Sequence, residues 1–246
     1  MSRMHLGVIR MCCLLVLLIA SCSYDSDNAS TTGDTTDSAS VEALSGATVH
    51  HGIDVSYHSG GVDWATVAQQ GFTFAFVKAT EGDDLKDPSF AEHWQELKAH
   101  GIVRGAYHFY VTEDNPDTQA QLFTSVVTLE QGDLAPVVDI ELIGHNTQPG
   151  LVERFRRFVT LIEDHYDTKP IIYTAPNFWN QHMSDEFAEY PLWVAEYGVD
   201  APTIPNGWET WHLWQWQGDT TVTGVEKGAD VSRVNPDLPN LNELAV

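Results

Sequence analysis

Short apolar runs and longer amphipathic segments alternate along the 246-residue chain. The short runs are typical of buried strands, and the longer segments repeat apolar residues at helical spacing. Five strands are predicted, at residues 52–56, 74–79, 105–110, 135–141 and 171–174. Five helices follow them in turn, at residues 63–70, 87–101, 116–129, 151–166 and 177–182. This order predicts five βα units.

The alternation of strands and long helices ends after the fifth unit. Strands joined by short loops are predicted there, at residues 192–197, 211–216 and 221–225. Alternating strands and helices favour a mainly parallel sheet, and closure into a barrel leaves no exposed edge. We therefore predict an α/β fold, an irregular TIM-like barrel of about five βα units followed by a strand-rich C-terminal part. An open doubly wound sheet is the alternative, although no glycine-rich phosphate loop follows a strand.

The first 21 residues have the pattern of an export signal. Arg3 and Arg10 form a basic start, and residues 12–20 form an apolar run that is too short to span a membrane. The run ends at residues 19–22, Ile-Ala-Ser-Cys, which resemble the lipobox of bacterial lipoprotein signal peptides.

That resemblance implies cleavage before Cys22 and lipidation of its thiol and of the new amino group. The protein would then be exported and held at a bacterial membrane by a lipid anchor. An ordinary secretory signal that is cut nearby is the alternative. Ser23, rather than an aspartate, follows the cysteine, which favours the outer membrane or the cell surface.

Residues 22–49 are predicted to be a flexible acidic tether rich in Ser, Thr and Asp, because they hold too little apolar surface to offset their ordering entropy. The folded domain is expected at residues 50–246, which are enough for one sizeable core. All three cysteines, Cys12, Cys13 and Cys22, precede that domain. We therefore expect no disulfide, thiolate metal site or cysteine nucleophile in it.

The charge balance excludes one class of partner. The chain has 12 Lys and Arg residues against 35 Asp and Glu residues, for a net charge of −23. Nucleic-acid binding needs a cationic surface, so we expect no nucleic-acid partner. The 11 histidines show no zinc-type spacing on a predicted helix, and we expect no metal and no cofactor. We expect a monomer.

One predicted strand ends in two acidic residues. Residues 136–141 have the sequence Pro-Val-Val-Asp-Ile-Glu, so Asp139 and Glu141 project from the same face of the strand. Two carboxyl groups that share a site can hold different protonation states, as hydrolysis of a glycosidic bond requires. The alternative is that both acids simply face water.

A parallel barrel has its active site at the C-terminal ends of its strands. Those ends collect acids, which can supply chemistry, and aromatic rings, which suit the flat faces of sugars. The residues that converge there are Asp54, Glu81, Tyr107, Asp139, Glu141, Tyr173, Trp193, Tyr197, Trp214, Gln215 and Asp230. Lys78 and His108 lie at the same ends, and we interpret them as structural partners. The convergence predicts a carbohydrate-cleaving site.

Nine short motifs follow one another in a specific order. They lie at residues 52–56, 62–64, 76–82, 105–109, 136–141, 172–174, 192–197, 213–215 and 228–230. In this order the chain resembles glycoside hydrolase family 25, the Chalaropsis-type lysozymes or N-acetylmuramidases, from residue 51 to the C-terminus. Glu196 and Ser232 depart from the family pattern.

The resemblance implies cleavage of the β-1,4 bond between N-acetylmuramic acid and N-acetylglucosamine in peptidoglycan. By this likeness Glu141 is the general acid, Asp139 is its ionised partner, and Asp54 and Asp230 complete an acidic floor. Glu81, Tyr107 and Tyr173 would line the sugar site. Trp193, Tyr197, Trp214 and Gln215 are further candidates for substrate contact.

The spacing of the two acids does not choose between retention and inversion of the anomeric configuration. Our hypothesis is retention by substrate-assisted catalysis, in which the acetamido oxygen attacks the anomeric carbon while Glu141 protonates the leaving oxygen. Asp139 would orient the acetamido N–H. Two other functions stay open, a non-catalytic glycan-binding module and a glycosidase that acts on chitin-like polymers.

Overall fold

The computed structural model describes residues 50–237 and 241–246. The predictions for the export signal, the tether and Cys22 concern residues outside these ranges. Within the ranges, no helix combines the length and the apolar character that crossing a membrane would require.

A single sheet of nine strands runs through the described residues. The strands are β1 (His51–Val55), β2 (Phe72–Glu81), β3 (Leu85–Lys86), β4 (Val103–Phe109), β5 (Val137–Asp139), β6 (Ile171–Thr174), β7 (Leu192–Ala195), β8 (Leu213–Thr220) and β9 (Ala229–Val234). The helices are α1 (Trp64–Gln69), α2 (Phe90–Ala99), α3 (Pro116–Val126), α4 (Leu151–Tyr166) and α5 (Pro176–His182). Short 3-10 turns lie at Tyr57–Ser59, Asp185–Phe187 and Leu241–Leu244.

Eight of these strands form a closed barrel, and β3 only extends β2 as a short antiparallel hairpin. Neighbouring strands from β1 through β8 pair in parallel, as βα units with right-handed crossovers do. Strand β9 is antiparallel to both β8 and β1 and completes the circle. The predicted irregular α/β barrel is confirmed, and the open sheet is wrong.

The strand predicted at residues 221–225 is wrong, because that segment is a loop between β8 and β9. Its apolar side chains Val222 and Val225 are buried, and Val225 forms an isolated bridge with Val62. The apolar pattern of this segment therefore indicates buried side chains and not a strand that pairs within the sheet. The last barrel strand lies further along the chain, at β9.

Helix α2 begins at Phe90, later than the predicted start at residue 87. The carboxylate of Asp87 instead accepts hydrogen bonds from the backbone N–H of Ser89, at 2.9 Å, and of Tyr57, at 3.0 Å. Asp87 thus joins the loop after β2 to the loop after β1. Both loops lie at the end of the barrel where the acidic residues were predicted to meet.

Large apolar side chains fill the part of the barrel interior that lies away from the C-terminal ends of the strands. Phe76 stacks on Trp193 with ring centroids 4.5 Å apart, and Phe74 meets the edge of Phe76 at 5.9 Å. Val137, Leu213 and other inward-facing residues pack around them. Because this region is closely packed, polar inward-facing residues are confined to the C-terminal end of the strands.

The outward faces of the same strands form the larger core against the helices. Phe155, Phe158 and Ile162 of α4 lie at helical spacing and are fully buried there. Tyr110 meets Phe158 at 5.2 Å, and His108 stacks on Phe158 at 4.8 Å. This core anchors β4 and β5, whose inward faces carry predicted site residues.

Two inward-facing glycines make room for the phenylalanine rings. A Cβ atom at Gly105 would lie 2.3 Å from the ring of Phe76, and one at Gly52 would lie 2.2 Å from the ring of Phe74. Such distances require the ring to move within a filled barrel. Glycine is therefore needed at these positions for packing rather than for a special backbone conformation.

We expect Gly105→Ala to lower the free energy of unfolding by about 1–3 kcal/mol, the usual cost of overpacking a filled core. Urea unfolding followed by circular dichroism measures this. The matched control is Gly61→Ala, where the nearest atom to the new Cβ is 3.6 Å away. Equal stability of the two variants would show that the barrel interior is not tightly packed at Phe76.

Candidate active site

Barrel closure brings together acids from distant parts of the sequence. Asp139 ends β5 and Glu141 follows two residues later, while Asp54 lies near the end of β1. In the antiparallel β1–β9 pair, Asp54 is the direct partner of Asp230. The four predicted acids thus meet at one end of the barrel, and their charges act on one another.

A lysine faces this acidic cluster. Lys78 Nζ lies 2.6 Å from Glu81 Oε2 and 4.9 Å from the ring centroid of Phe109. Phe109 pairs in register with Glu81 on one side and with Asp139 on the other. The ammonium group therefore lies at the level of Asp139, where it favours ionised carboxylates.

Gln215 is at the centre of a hydrogen-bond network. Its Oε1 accepts hydrogen bonds from the hydroxyl of Tyr173, at 2.8 Å, and from the hydroxyl of Tyr197. Its Nε2 donates to Asp54 Oδ2 at 2.8 Å. The network links strands β6, β8 and β1 and Tyr197, which lies two residues after the end of β7.

Burial raises the pKa of all four carboxyl groups. For Asp54 the charge of Asp230 adds to the rise in pKa, and for Asp139 the charge of Glu141 does. For Asp230 burial raises the pKa, although its hydrogen bond from the backbone N–H of Asp219, at 2.6 Å, opposes the rise. The cluster therefore retains protons at a higher pH than isolated carboxylates would.

Glu141 is the carboxyl group best placed to hold a proton and then release it. Burial, followed by the charge of Asp230, raises the pKa of Glu141 to about 7, although Lys78 opposes the rise. Asp54 and Asp230 each accept a hydrogen bond, but no donor among the described residues is bonded to Glu141. A protonated Glu141 at neutral pH suits a general acid.

Asp139 offers a different feature. It is buried, and its Oδ1 atom has no hydrogen-bond partner within the described part of the chain. An unpaired buried acceptor is costly unless something else binds it. Asp139 can therefore accept a hydrogen bond from a ligand that enters the cluster.

Three of the tyrosines named from the sequence lie near the acids. Burial and the neighbouring carboxylates raise the pKa of Tyr107, Tyr173 and Tyr197, so their hydroxyl groups stay protonated. Tyr107 faces inward from β4, and Tyr197 is half exposed beside the cluster. Glu81 also lies at this end of the barrel but is bound to Lys78.

Three predicted substrate contacts need correction. Trp214 points to the outer core, where its ring lies 4.3 Å from the guanidinium of Arg233, so it does not reach the cluster. Trp193 faces inward but is only 2% exposed, and its ring meets the ring of Tyr173 edge-on at 4.8 Å. Gln215 is also 2% exposed and bonds to side chains of the protein. The alternation of inward and outward faces along β7 and β8 accounts for these positions.

Sequence reasoning missed several residues that support the site. Ser232, noted only as a departure from the family pattern, accepts a hydrogen bond from Trp193 Nε1 at 3.0 Å. Asp219 adopts a left-handed backbone, with φ of 46°, and directs its N–H to Asp230. Leu142 and Ile143 are exposed directly after Glu141. Two large apolar residues after a strand end were the one signal that the sequence offered.

His108 has the supporting role expected of it. Its Nδ1 lies 2.7 Å from Thr80 Oγ1, and its Nε2 lies 3.1 Å from Gln119 Oε1. Burial lowers the pKa of His108 to about 3, so the ring is neutral at neutral pH. Among the described residues, no group of three or more His, Cys, Asp and Glu side chains is arranged to hold a metal ion.

Comparison with known proteins identifies the family. The model of the glycosyl hydrolases family 25 matches residues 53–225. The chain belongs to family 25. The matched range includes Asp54, Asp139 and Glu141, whereas Asp230 lies beyond it and is joined to the site by the β1–β9 pairing.

Several known proteins are similar to this chain in sequence or in fold. Lysozyme M1 of Streptomyces globisporus is 33% identical over 210 residues, which cover 79% of this chain and 70% of that protein. The uncharacterized protein YegX of Escherichia coli strain K12 is 35% identical over 196 residues, covering 78% and 71% respectively. The crystal structure of the bacterial lysozyme from Streptomyces coelicolor superposes with a TM-score of 0.74 at 32% identity, covering 80% of this chain and 96% of that one.

The raised pKa of Glu141 makes folding stability depend on pH. A carboxyl group that binds its proton more tightly in the folded state stabilises the fold at low pH, and this stabilisation is lost as pH rises through the folded pKa. We expect the free energy of unfolding of the wild type, relative to Glu141→Gln, to fall between pH 4.5 and about 7. Urea titrations across this range measure it. A difference that stays constant with pH would contradict the assignment.

Proposed function

We propose that this family 25 protein is a muramidase, which hydrolyses the β-1,4 bond between N-acetylmuramic acid and N-acetylglucosamine in peptidoglycan. The observation that carries the proposal is the pKa of Glu141, raised to about 7 within a cluster of buried carboxyl groups at the C-terminal end of the barrel. A proton donor beside further carboxyl groups is the arrangement that glycoside hydrolysis uses. The names of the Streptomyces lysozymes support the same substrate.

In the proposed first step, Glu141 gives its proton to the glycosidic oxygen as the C1–O bond breaks. The carbonyl oxygen of the 2-acetamido group on the muramic acid attacks C1 and forms a cyclic oxazolinium intermediate. Water then attacks C1 from the opposite side and gives a proton to Glu141, which regenerates the acid, while the bond between C1 and the acetamido oxygen breaks and restores the acetamido group. The two displacements return the anomeric carbon to its original configuration.

The unpaired Oδ1 atom of Asp139 supports its role in this step. It can accept the acetamido N–H, which turns the carbonyl oxygen toward C1 and stabilises the positive charge that develops on the amide. Lys78 opposes the rise in the pKa of Asp139, which favours the ionised form that this role needs. Asp54 and Asp230 add negative charge around the oxocarbenium-like transition state.

The tyrosines and the exposed rim suit the rest of the glycan. The ring of Tyr197 is 50% exposed and can stack on a sugar face, while Tyr107 and Tyr173 line the inner wall. Aromatic faces of this kind bind the apolar side of a pyranose ring. We assign Glu81 to the same site through its ion pair with Lys78.

We expect the wild-type protein to release fragments of purified peptidoglycan that carry muramic acid at their new reducing ends. Glu141→Gln should fold normally and lose activity by roughly 100-fold or more, because the general acid is removed. Mass spectrometry identifies the reducing sugar, and proton NMR of the first product should show retained configuration.

The matched control is Glu209→Gln, the same change at an exposed position, which should keep wild-type activity. Substantial turnover by Glu141→Gln would mean that the acid is misassigned, and inversion would exclude the substrate-assisted route. Cleavage of chitin oligomers but not of peptidoglycan would favour a different glycosidase. Binding to either polymer without any product would favour a glycan-binding module.

We also propose that the protein is a monomer attached to a bacterial membrane by lipid on Cys22, with residues 22–49 as a tether. Such an anchor raises the local concentration of the enzyme near its polymer. The leader sequence Ile-Ala-Ser-Cys at residues 19–22 supports the proposal.

Cys22→Ser should abolish incorporation of radiolabelled palmitate and move the protein from the membrane fraction to the soluble fraction. Cys13→Ser is the matched control, because that cysteine lies in the segment expected to be removed. Equal labelling of both variants would contradict lipidation at Cys22.

A further inference from the structure

The buried carboxamide of Gln215 contacts three residues of the site at once. Its Oε1 accepts the hydroxyl groups of Tyr173 and Tyr197, and its Nε2 lies 2.8 Å from Asp54 Oδ2. The side chain is only 2% exposed. A residue so enclosed acts on the site through its neighbours rather than by direct contact with a polymer.

The contacts fix which way the amide points. The NH₂ group faces Asp54, and it is the group that suits an ionised carboxylate, which can only accept hydrogen bonds. The two tyrosine hydroxyls then fill both lone pairs of the amide oxygen. Rotation of the amide by half a turn would replace an N–H donor by an oxygen next to the carboxylate of Asp54, which is unfavourable. The tyrosines therefore hold the donor on Asp54.

Asp54 is surrounded by groups that oppose its ionisation. In the described part of the chain, the titratable groups that act on it or are acted on by it are Asp230 on β9, Asp139 on β5, Glu141 after β5, Tyr107 on β4, Tyr173 on β6 and Tyr197 after β7. Burial and the charges of Asp230 and Glu141 raise the pKa of Asp54 well above its ordinary value, and the hydrogen bond from Gln215 opposes this rise.

The other acids have different sources of stabilisation. Lys78 favours the ionised forms of Asp139 and Glu141, and the backbone N–H of Asp219 favours the ionised form of Asp230. Lys78 is not among the groups that act appreciably on Asp54. The neutral amide of Gln215 therefore favours the ionised form of Asp54, as the ammonium group of Lys78 favours the ionised form of Asp139.

We propose that Gln215 is a positioning residue whose N–H donor favours the ionised form of Asp54 and thereby favours retention of a proton by Glu141. The proposal deepens the muramidase function, on which its catalytic meaning rests. A proton on Asp54 would remove negative charge near Glu141, and Glu141 would then lose its own proton more readily. The donor on Asp54 thus favours a proton on Glu141.

The test is a carbon-13 NMR titration of the side-chain carboxyl groups in the protein without substrate. Gln215→Met keeps the length of the side chain and removes the donor. A hydrogen bond to a charged group is strong enough to move a pKa by about one unit. We expect the titration midpoint of Asp54 to rise by about one pH unit and that of Glu141 to fall.

Gln217→Met is the matched control, because Gln217 is exposed on the same strand and the chemical change is identical. Its titration midpoints should equal those of the wild type. If Gln215→Met does not fold, Gln215→Asn provides the same test, because its shorter amide cannot contact Asp54 and both tyrosines together. An unchanged midpoint at Asp54 in the folded variant would overturn the proposal.

Kinetics then connect the proton position to catalysis. In Gln215→Met, the acid limb of the pH profile of kcat/KM on peptidoglycan should move up and the basic limb should move down. Lower activity with both limbs unmoved would mean a purely structural role and would overturn the proposal. The NMR midpoints could move as expected while the wild-type protein cleaves no peptidoglycan. That result would support the effect of Gln215 on Asp54 and would refute only the muramidase function.

Discussion

The closure of the barrel by β9 is the constraint on which the site depends. This strand pairs antiparallel with β8 on one side and with β1 on the other. It is the only antiparallel member of the eight-stranded circle within the described residues. Without it, β1 would be an open edge, and Asp54 would lack both Asp230 as its cross-strand partner and the network that reaches it from Gln215.

The closed barrel separates stability from chemistry by the two faces of each strand. Outward-facing side chains pack against the helices in the larger core. Inward-facing side chains that lie away from the C-terminal strand ends fill the interior, many of them with aromatic rings. Both regions contribute favourable burial. Inward-facing positions at the C-terminal ends of the strands carry carboxyl groups whose burial is costly, and the packed regions must offset that cost.

A few favourable contacts stabilise the ionised forms of the acidic cluster, and they act on different carboxyl groups. Lys78 acts on Asp139 and Glu141, the N–H of Asp219 acts on Asp230, and the amide of Gln215 acts on Asp54. Like charges at close range cannot all ionise together, so the distribution of these donors decides which group keeps a proton. Glu141, with its pKa raised to about 7, can exchange its proton near neutral pH.

Much of this organisation could be predicted from sequence because its signals are local. The five βα units follow from apolar periodicity, and the acidic strand end at Asp139 and Glu141 follows from the two-residue repeat of a strand. Local pattern failed at residues 221–225, where buried valines in a loop resemble a strand. It also failed at Trp214, because the face that a residue presents depends on the register of the closed barrel.

The order of the elements, the family and the acidic residues could therefore be predicted from the amino-acid sequence. The pairing of Asp54 with Asp230, the bond from Gln215 to Asp54 and the contact of Trp193 with Tyr173 are visible only in the folded protein. These contacts join residues far apart in the chain through strand register and barrel closure. No local pattern encodes such pairings, because each depends on how all eight strands fit around one filled interior.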